Sequence, residues 1–263
     1  DATAKWLLQS NPKPTVVVGN DCRFAGKLFS ETVTRIMAYN GIKVFLAENE
    51  FVSTPMISLG TVNLKASQGI IITASHNPAS YNGYKLKGAY GGPTTPKDIE
   101  IVESLIPDSV DHETKSLEAY FAEGLVEYVD LETMYCKHAE ANFDLDAIRK
   151  SNLNFAYDAM YGAGQNVMKR LLPDVDRLHC EYNPGFNGQA PEPIHKNLQE
   201  FSDMISVSGD IACGLATDGD ADRIGLYDSS GKFIDSHHII LLLINYLHNY
   251  KNLGGKVIFT FSC

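Results

Sequence analysis

Between Thr217 and Arg223 the chain reads Thr-Asp-Gly-Asp-Ala-Asp-Arg, which places carboxylates at Asp218, Asp220 and Asp222. Three like charges at i, i+2 and i+4 raise one another's pKa unless a cation neutralises them. Their oxygens suit a hard cation such as Mg²⁺. Gly219 and Ala221 are small enough to let the segment curl around an ion. A second cluster, Thr73-Ala74-Ser75-His76-Asn77-Pro78, sets a hydroxyl beside an imidazole. Farther on, Asn82-Gly83-Tyr84-Lys85-Leu86-Lys87 follows a turn signal with two lysines on one face of an alternating run. They suit a phosphate contact or a proton donor, or are solvated. Asp21-Cys22-Arg23 offers a guanidinium that holds phosphate bidentately or pairs with its neighbour in a loop.

Several familiar motifs fail on their spacing. An EF-hand loop starting at Asp218 requires Gly at Arg223 and Glu at Ser229. A haloacid-dehalogenase-like phosphatase motif wants Thr or Val where Asp222 stands. A solvated acidic turn remains, and three alternating Asp at a strand end weigh against it. The α/β-hydrolase elbow G-x-S-x-G is not met, because Thr73 and Asn77 flank the Ser75 tripeptide. On spacing alone the S-H-N-P segment reads, by a narrow margin, as a turn punctuated by Asn-Pro. Gly162-Ala163-Gly164 is no dinucleotide fingerprint, since Val167 takes the third glycine position. Most of the eight histidines, including His112, His179 and His248, lack ligand spacing.

The elements that must position these residues are legible as short apolar runs. Val16 to Val18, Val44 to Leu46 and Gly69 to Thr73 read as buried strands. Helical spacing from Phe29 to Met37 ends at Gly41, a C-cap residue. Thr54-Pro55 and Thr95-Pro96 open helices, with Thr as N-cap and Pro at the first helical position. A second set follows, with strands at Phe155 to Asp158, Leu178 to Tyr182, Cys213 to Ala216 and Ile224 to Tyr227. Helices are predicted from Val167 to Leu172, from Ile194 to Met204 and, buried over much of its surface, from Asp235 to Tyr250. Ser229 to Lys232 makes a hairpin turn, and Gly254 to Phe261 reads as a further strand. Alternation of continuous apolar strands with helices gives an α/β class with mixed, mainly parallel sheets covered on both faces. The polar stretch from Tyr128 to Ser151 is the expected domain boundary.

Composition narrows the function classes. The 263 residues are 44% apolar and carry a formal charge of −10. Such a chain is not disordered, and its acidity disfavours nucleic acid as a partner. A local site can still be positive toward an anionic substrate. The longest apolar run, Ile239 to Ile244, is too short to span a bilayer, and no leader is visible. Five cysteines lack a C-x-x-C pair and suit reduced thiols in a cytoplasmic protein. The chain opens at Asp1 and stops just after a predicted strand, which suggests a fragment of a longer protein.

The Ser75 and Asp218 segments together resemble the phosphoserine loop and metal loop of the α-D-phosphohexomutases, the phosphoglucomutase and phosphomannomutase superfamily. Asn82 to Lys85, Asp158 to Gly164 and Pro191-Glu192-Pro193 also resemble family segments. The resemblance covers nearly the whole chain and implies two consecutive α/β domains plus the opening strand of a third. The implied divisions are 1–142, 143–253 and 254–263. Ser75 would be the phosphoryl carrier. Asp218, Asp220 and Asp222 would ligate Mg²⁺, with a phosphoserine oxygen completing the site. Lys85 and Arg23 would serve acid–base and phosphate-orienting roles, His76 would stand beside the reacting group, and Arg223 and Asn77 would support phosphate and loop. The implied reaction moves phosphate between C1 and C6 of a hexose phosphate through a hexose 1,6-bisphosphate, which also primes the enzyme.

The departures from the family pattern qualify this. Ala25 stands where the family often has Ser. The family's N-terminal segment and its third-domain sugar loop and fourth-domain phosphate loop are missing. The fragment is therefore expected to turn over sugar phosphates poorly or not at all. Glucose is the first expected sugar, with mannose and amino sugars as alternatives. A metal-dependent phosphohydrolase and a non-catalytic sugar-phosphate-binding module are the competing classes.

Overall fold

The computed structural model describes residues 1–110 and 112–258. Helix α1 (Ala2–Ser10) leads into β1 (Thr15–Asn20), α2 (Gly26–Tyr39), β2 (Lys43–Ala47), α3 (Thr54–Asn63), β3 (Gln68–Ile72) and β4 (Tyr84–Gly88). Then come α4 (Pro96–Ser104), α5 (Leu117–Ala122), β5 (Val126–Val129), α6 (Leu131–Asn142) and α7 (Leu145–Arg149). The second half holds β6 (Asn154–Asp158), α8 (Gln165–Leu171), β7 (Asp176–Leu178), α9 (Gln199–Ser208), β8 (Ile211–Thr217), β9 (Ile224–Asp228), β10 (Phe233–Ile234) and α10 (Ser236–Asn245).

Two five-stranded sheets result, ordered β4-β3-β1-β2-β5 and β10-β9-β8-β6-β7. In the first, only the β3–β4 pairing is antiparallel. The second is evenly mixed, because β8–β9 and β9–β10 are antiparallel hairpin pairings. Consecutive valines make β1 apolar on both faces. Val16 and Val18 pack with Val44, Ile70 and helices α1 and α2. Val17 points the other way, into a core with Ile57 of α3 and Leu131 of α6. Alternating side-chain direction explains why the run is continuous rather than striped.

That second core does not stop at the first sheet. Val167 and Leu171 of α8 belong to it, together with Cys136 and Ala139 of α6. The stretch expected to be a polar boundary is thus largely helix, and α6 is wedged between the two halves. Leu131, Cys136 and Ala139 lie close to helical spacing, which is why one face of α6 is buried.

Four other expectations shift. Strand β7 ends at Leu178 instead of starting there, because His179 adopts left-handed backbone with φ 48° and turns the chain away. The helix expected from Ile194 begins only at Gln199, after a short 3-10 turn at His195–Asn197. The α10 helix is where the pattern put it, but none of its side chains is buried, and Leu241, Leu242 and Leu243 are exposed. Apolar composition alone does not supply a packing partner. Residues 254–258 form no strand, and the remainder of that predicted strand, with Cys263, lies outside the described residues. The four described cysteines are free thiols, two of them buried. Among the described residues no helix is long and apolar enough to cross a membrane.

Candidate active site

In the first sheet β1 is flanked by β2 on one side and β3 on the other, so the chain order reverses at β1. Ligands of α/β sheets sit outside the carboxyl ends of strands at such a switch. The Asp21–Arg23 turn follows β1 there, and the Ser75 loop follows β3. Because β4 runs back against β3, Lys85 is paired with Ile71 at the same end. The acidic loop leaves the carboxyl end of β8 in the second sheet and meets these segments from the other side.

The Ser75 loop is held by its backbone. Ser75 itself has φ 52°, a left-handed conformation that costs a non-glycine residue free energy and persists when its surroundings impose it. The Ser75 N–H donates to Thr73 Oγ1 at 2.8 Å, and the Thr73 hydroxyl donates to Asp21 Oδ2 at 2.6 Å. Arg23 is 1% exposed. Its Nη1 donates to the carbonyls of Pro78 and Tyr81 at 2.8 and 3.0 Å, and its Nη2 to those of Ser75 and Asn77 at 2.7 and 2.6 Å. Its Nε lies 3.3 Å from Asp21 Oδ2, and its plane covers the Phe186 ring at 4.9 Å. The guanidinium that the resemblance casts as phosphate-orienting is turned into the loop. All four terminal N–H groups are spent on the loop, so the guanidinium shapes the Ser75 turn. Burial pushes the Asp21 carboxyl up to about 6, against the opposing pull of Thr73 and Arg23.

The acidic loop lies directly against this turn. A Cβ on Gly219 would sit 2.5 Å from the Ser75 carbonyl oxygen, so only glycine permits the approach. Ser75 Oγ donates to Asp218 Oδ2 at 2.8 Å, while Asp218 Oδ1 accepts the N–H groups of Asp222 and Arg223 at 3.0 and 3.1 Å. Lys85 Nζ donates to Asp220 Oδ2 at 2.7 Å and to Asp222 Oδ2 at 3.1 Å. Burial and the neighbouring Asp220 charge raise the Asp218 carboxyl well above the usual range. Burial acts the same way on Asp220, but the Lys85 ammonium overrides it and holds Asp220 low. For Lys85, burial opposes the charge, and Asp220 and Asp222 together still raise it.

These residues fit a divalent cation. Asp218, Asp220 and Asp222 each offer an oxygen within 4.8 Å of the others. Asp220 is fully buried, and its Oδ1 has no hydrogen-bond partner. A buried carboxylate oxygen without a donor is costly, and a hard cation is the ligand its chemistry asks for.

The other sequence-predicted residues divide. His76 is half-buried, with Nε2 4.0 Å from Glu192 of the Pro191–Pro193 segment and Nδ1 buried without a partner. Asn77 contributes its carbonyl to Arg23, and its side chain is exposed. Arg223 and Asp222 are exposed at the loop's outer edge. An open cavity of about 330 Å³ is lined by Thr73, Ser75, Asn77, Tyr81, Asn82 and Lys85, among others. Sequence reasoning missed Thr54 as a partner of this site; it names Thr73 and Glu192 only within their motifs, and of its two readings of Asp21-Cys22-Arg23 the loop ion pair is present. The Thr54-Pro55 pair predicts Thr54 as the helix cap. Ser53 takes that role, its Oγ accepting the Met56 N–H, and Pro55 falls at the second helical position. The Thr54 hydroxyl donates instead to Asp220 Oδ2.

Comparison with known proteins gives concordant matches. Residues 1–112 match the model described as phosphoglucomutase/phosphomannomutase, alpha/beta/alpha domain I, and residues 133–231 match its domain II. The second match ends before α10. A phosphoglucomutase of Neisseria meningitidis serogroup B is 33% identical over 93% of this chain and 51% of its own length. A phosphoglucomutase/phosphomannomutase of Thermococcus kodakarensis is 29% identical over 97% of this chain and 55% of its own length. The crystal structure of a putative phosphomannomutase from Thermus thermophilus superposes with a TM-score of 0.85 at 32% identity, covering 95% of this chain and 56% of that one. The chain spans about half the length of the curated relatives it matches.

Proposed function

Because the chain belongs to the α-D-phosphohexomutase superfamily of phosphoglucomutases and phosphomannomutases, we propose that Ser75 carries a phosphoryl group between the C1 and C6 oxygens of a hexose. A hexose 1,6-bisphosphate is the intermediate and primes Ser75. Glucose is the first sugar and mannose the second, in keeping with the names of the relatives. We divide the chain into units at 1–142 and 143–253, place 254–263 at the start of a further unit, and assign the protein to the cytoplasm.

The observation that carries this reading is the 2.8 Å bond from Ser75 Oγ to Asp218 Oδ2, with Asp220 and Asp222 grouped behind it. A nucleophile and a hard-cation site meet at one point. Mg²⁺, held by Asp218, Asp220 and Asp222, would offset the charge of the phosphoryl oxygens. Phosphoryl transfer is catalysed chiefly by such positioning and charge stabilisation.

The chain's own residues account for the proton movements. When Ser75 accepts the phosphoryl group, Ser75 Oγ attacks phosphorus and its proton leaves along the bond to Asp218 Oδ2. The bond from phosphorus to the hexose oxygen breaks, and that oxygen takes a proton from the Lys85 ammonium. Transfer back to the sugar runs over the same atoms, with Asp218 as donor and Lys85 as acceptor. Arg23, Asp21 and Thr73 keep the Ser75 turn in its left-handed shape throughout.

The test offers the full-length protein glucose 1-phosphate and mannose 1-phosphate separately, with Mg²⁺ and the matching 1,6-bisphosphate, beside a Ser75→Ala control. Formation of the 6-phosphate that the control lacks is expected. Release of inorganic phosphate that survives Ser75→Ala would replace the mutase reading with a phosphohydrolase.

A further inference from the structure

The first turn of α3 touches the acidic loop at two points. The Thr54 N–H donates to the Asp220 carbonyl at 2.9 Å, and the Thr54 hydroxyl donates to Asp220 Oδ2 at 2.5 Å. Thr54 is 2% exposed and Asp220 fully buried. The two oxygens of this carboxylate are treated unequally. Oδ2 receives Thr54 and Lys85, whereas Oδ1 is buried and receives no donor. Turning the carboxylate over would exchange them.

Two donors therefore decide which oxygen is left free. Lys85 is a long, flexible side chain that also pairs with Asp222. Thr54 is short, branched and fixed in a helical turn whose cap is made by Ser53. Its hydroxyl is available because it is not the cap. The backbone bond from the Thr54 N–H already docks the loop onto the helix. The hydroxyl adds something different, a fixed carboxylate orientation.

We propose that Thr54 is a positioning residue for the divalent cation, holding Asp220 so that Oδ1 remains free to ligate it. Thr54 belongs to the half that carries Ser75, and Asp220 to the other half. The same hydroxyl therefore ties cation affinity to the register between nucleophile and acidic loop. This inference rests on the reading that Asp218, Asp220 and Asp222 hold the metal. Hydrogen-bond partners that orient metal ligands affect affinity about 10–100-fold when removed.

The test measures Mn²⁺ binding to the 263-residue chain by the loss of the free-ion electron paramagnetic resonance signal, without any sugar phosphate. Two matched pairs isolate the hydroxyl: Thr54 against Thr54→Val, and Thr54→Ser against Thr54→Ala. Weakening of about 10–100-fold in Val and Ala, with Ser near the parent, is expected. If Thr54→Val loses its native circular dichroism, the Ser and Ala pair decides. Binding by Val and Ala equal to the parent, while Asp220→Asn loses it, would overturn the role of Thr54 and leave the metal site standing. Absence of Mn²⁺ binding by the parent would overturn both.

Discussion

Replacing Arg23 by Met should unmake the Ser75 turn while preserving side-chain bulk. The change removes donors from four carbonyls and leaves the Asp21 carboxylate buried without its cation. Removing one partner of a buried charged pair costs about 3–5 kcal/mol. The four carbonyls add to this only where water cannot reach them, so about 4 kcal/mol is a fair central figure. In a protein of this size each kcal/mol lowers Tm by about 2–4 °C. The expected fall is therefore about 8–16 °C in a thermal melt. Arg23→Lys keeps the charge beside Asp21, but one ammonium cannot reproduce the planar fork that spans four carbonyls. It should lie between parent and Met variant. Both variants, compared at a temperature where circular dichroism shows them folded, should accept phosphate from glucose 1,6-bisphosphate onto Ser75 at least about tenfold more slowly. A Met variant melting within about 2 °C of the parent, less than 1 kcal/mol at this size, would refute the clamp reasoning.

Other outcomes follow from the same geometry. Gly219→Ala should separate the two loops, since its Cβ would stand 2.5 Å from the Ser75 carbonyl. Isothermal titration should show weaker Mg²⁺ binding, and the fold should survive because the site lies at the strand ends. Mg²⁺ at a hundred times its Kd should stabilise the chain by about 2.7 kcal/mol, a rise of about 5–11 °C in Tm; Asp220→Asn should abolish that rise. The hydrogen bond to the Asp158 carboxylate raises His179 above its ordinary 6.5, against the opposing effect of burial. A raised histidine contributes stability that is complete below 6.5 and is lost as pH rises through its folded value. NMR titration of the His179 ring should show the elevation, and Asp158→Asn should bring it down.

What the sequence revealed depends on whether a feature is local. Val16 to Val18 announces a strand buried on both faces, because successive side chains must point to opposite sides. Asp218, Asp220 and Asp222 stand out because mutual repulsion within one turn demands a cation. Distant pairings leave no such mark. That Thr54 reaches Asp220 depends on Ser53 winning the cap position, and two adjacent capping residues do not reveal which one wins. Arg23 has the right chemistry for phosphate, and nothing in D-C-R shows that its guanidinium turns back into the Ser75 loop. His179 breaks a run that composition reads as strand, because its backbone is left-handed and its imidazole reaches Asp158 on another strand, and propensity announces neither. In α10 the apolar side chains are evident, but burial depends on a neighbour, which composition cannot supply.

The most direct measurement is the mass of the chain after incubation with glucose 1,6-bisphosphate and Mg²⁺, followed by peptide mapping. One added phosphoryl group on Ser75, absent from Ser75→Ala, is the predicted result. Folded protein that binds metal but never acquires phosphate on Ser75 would contradict the account.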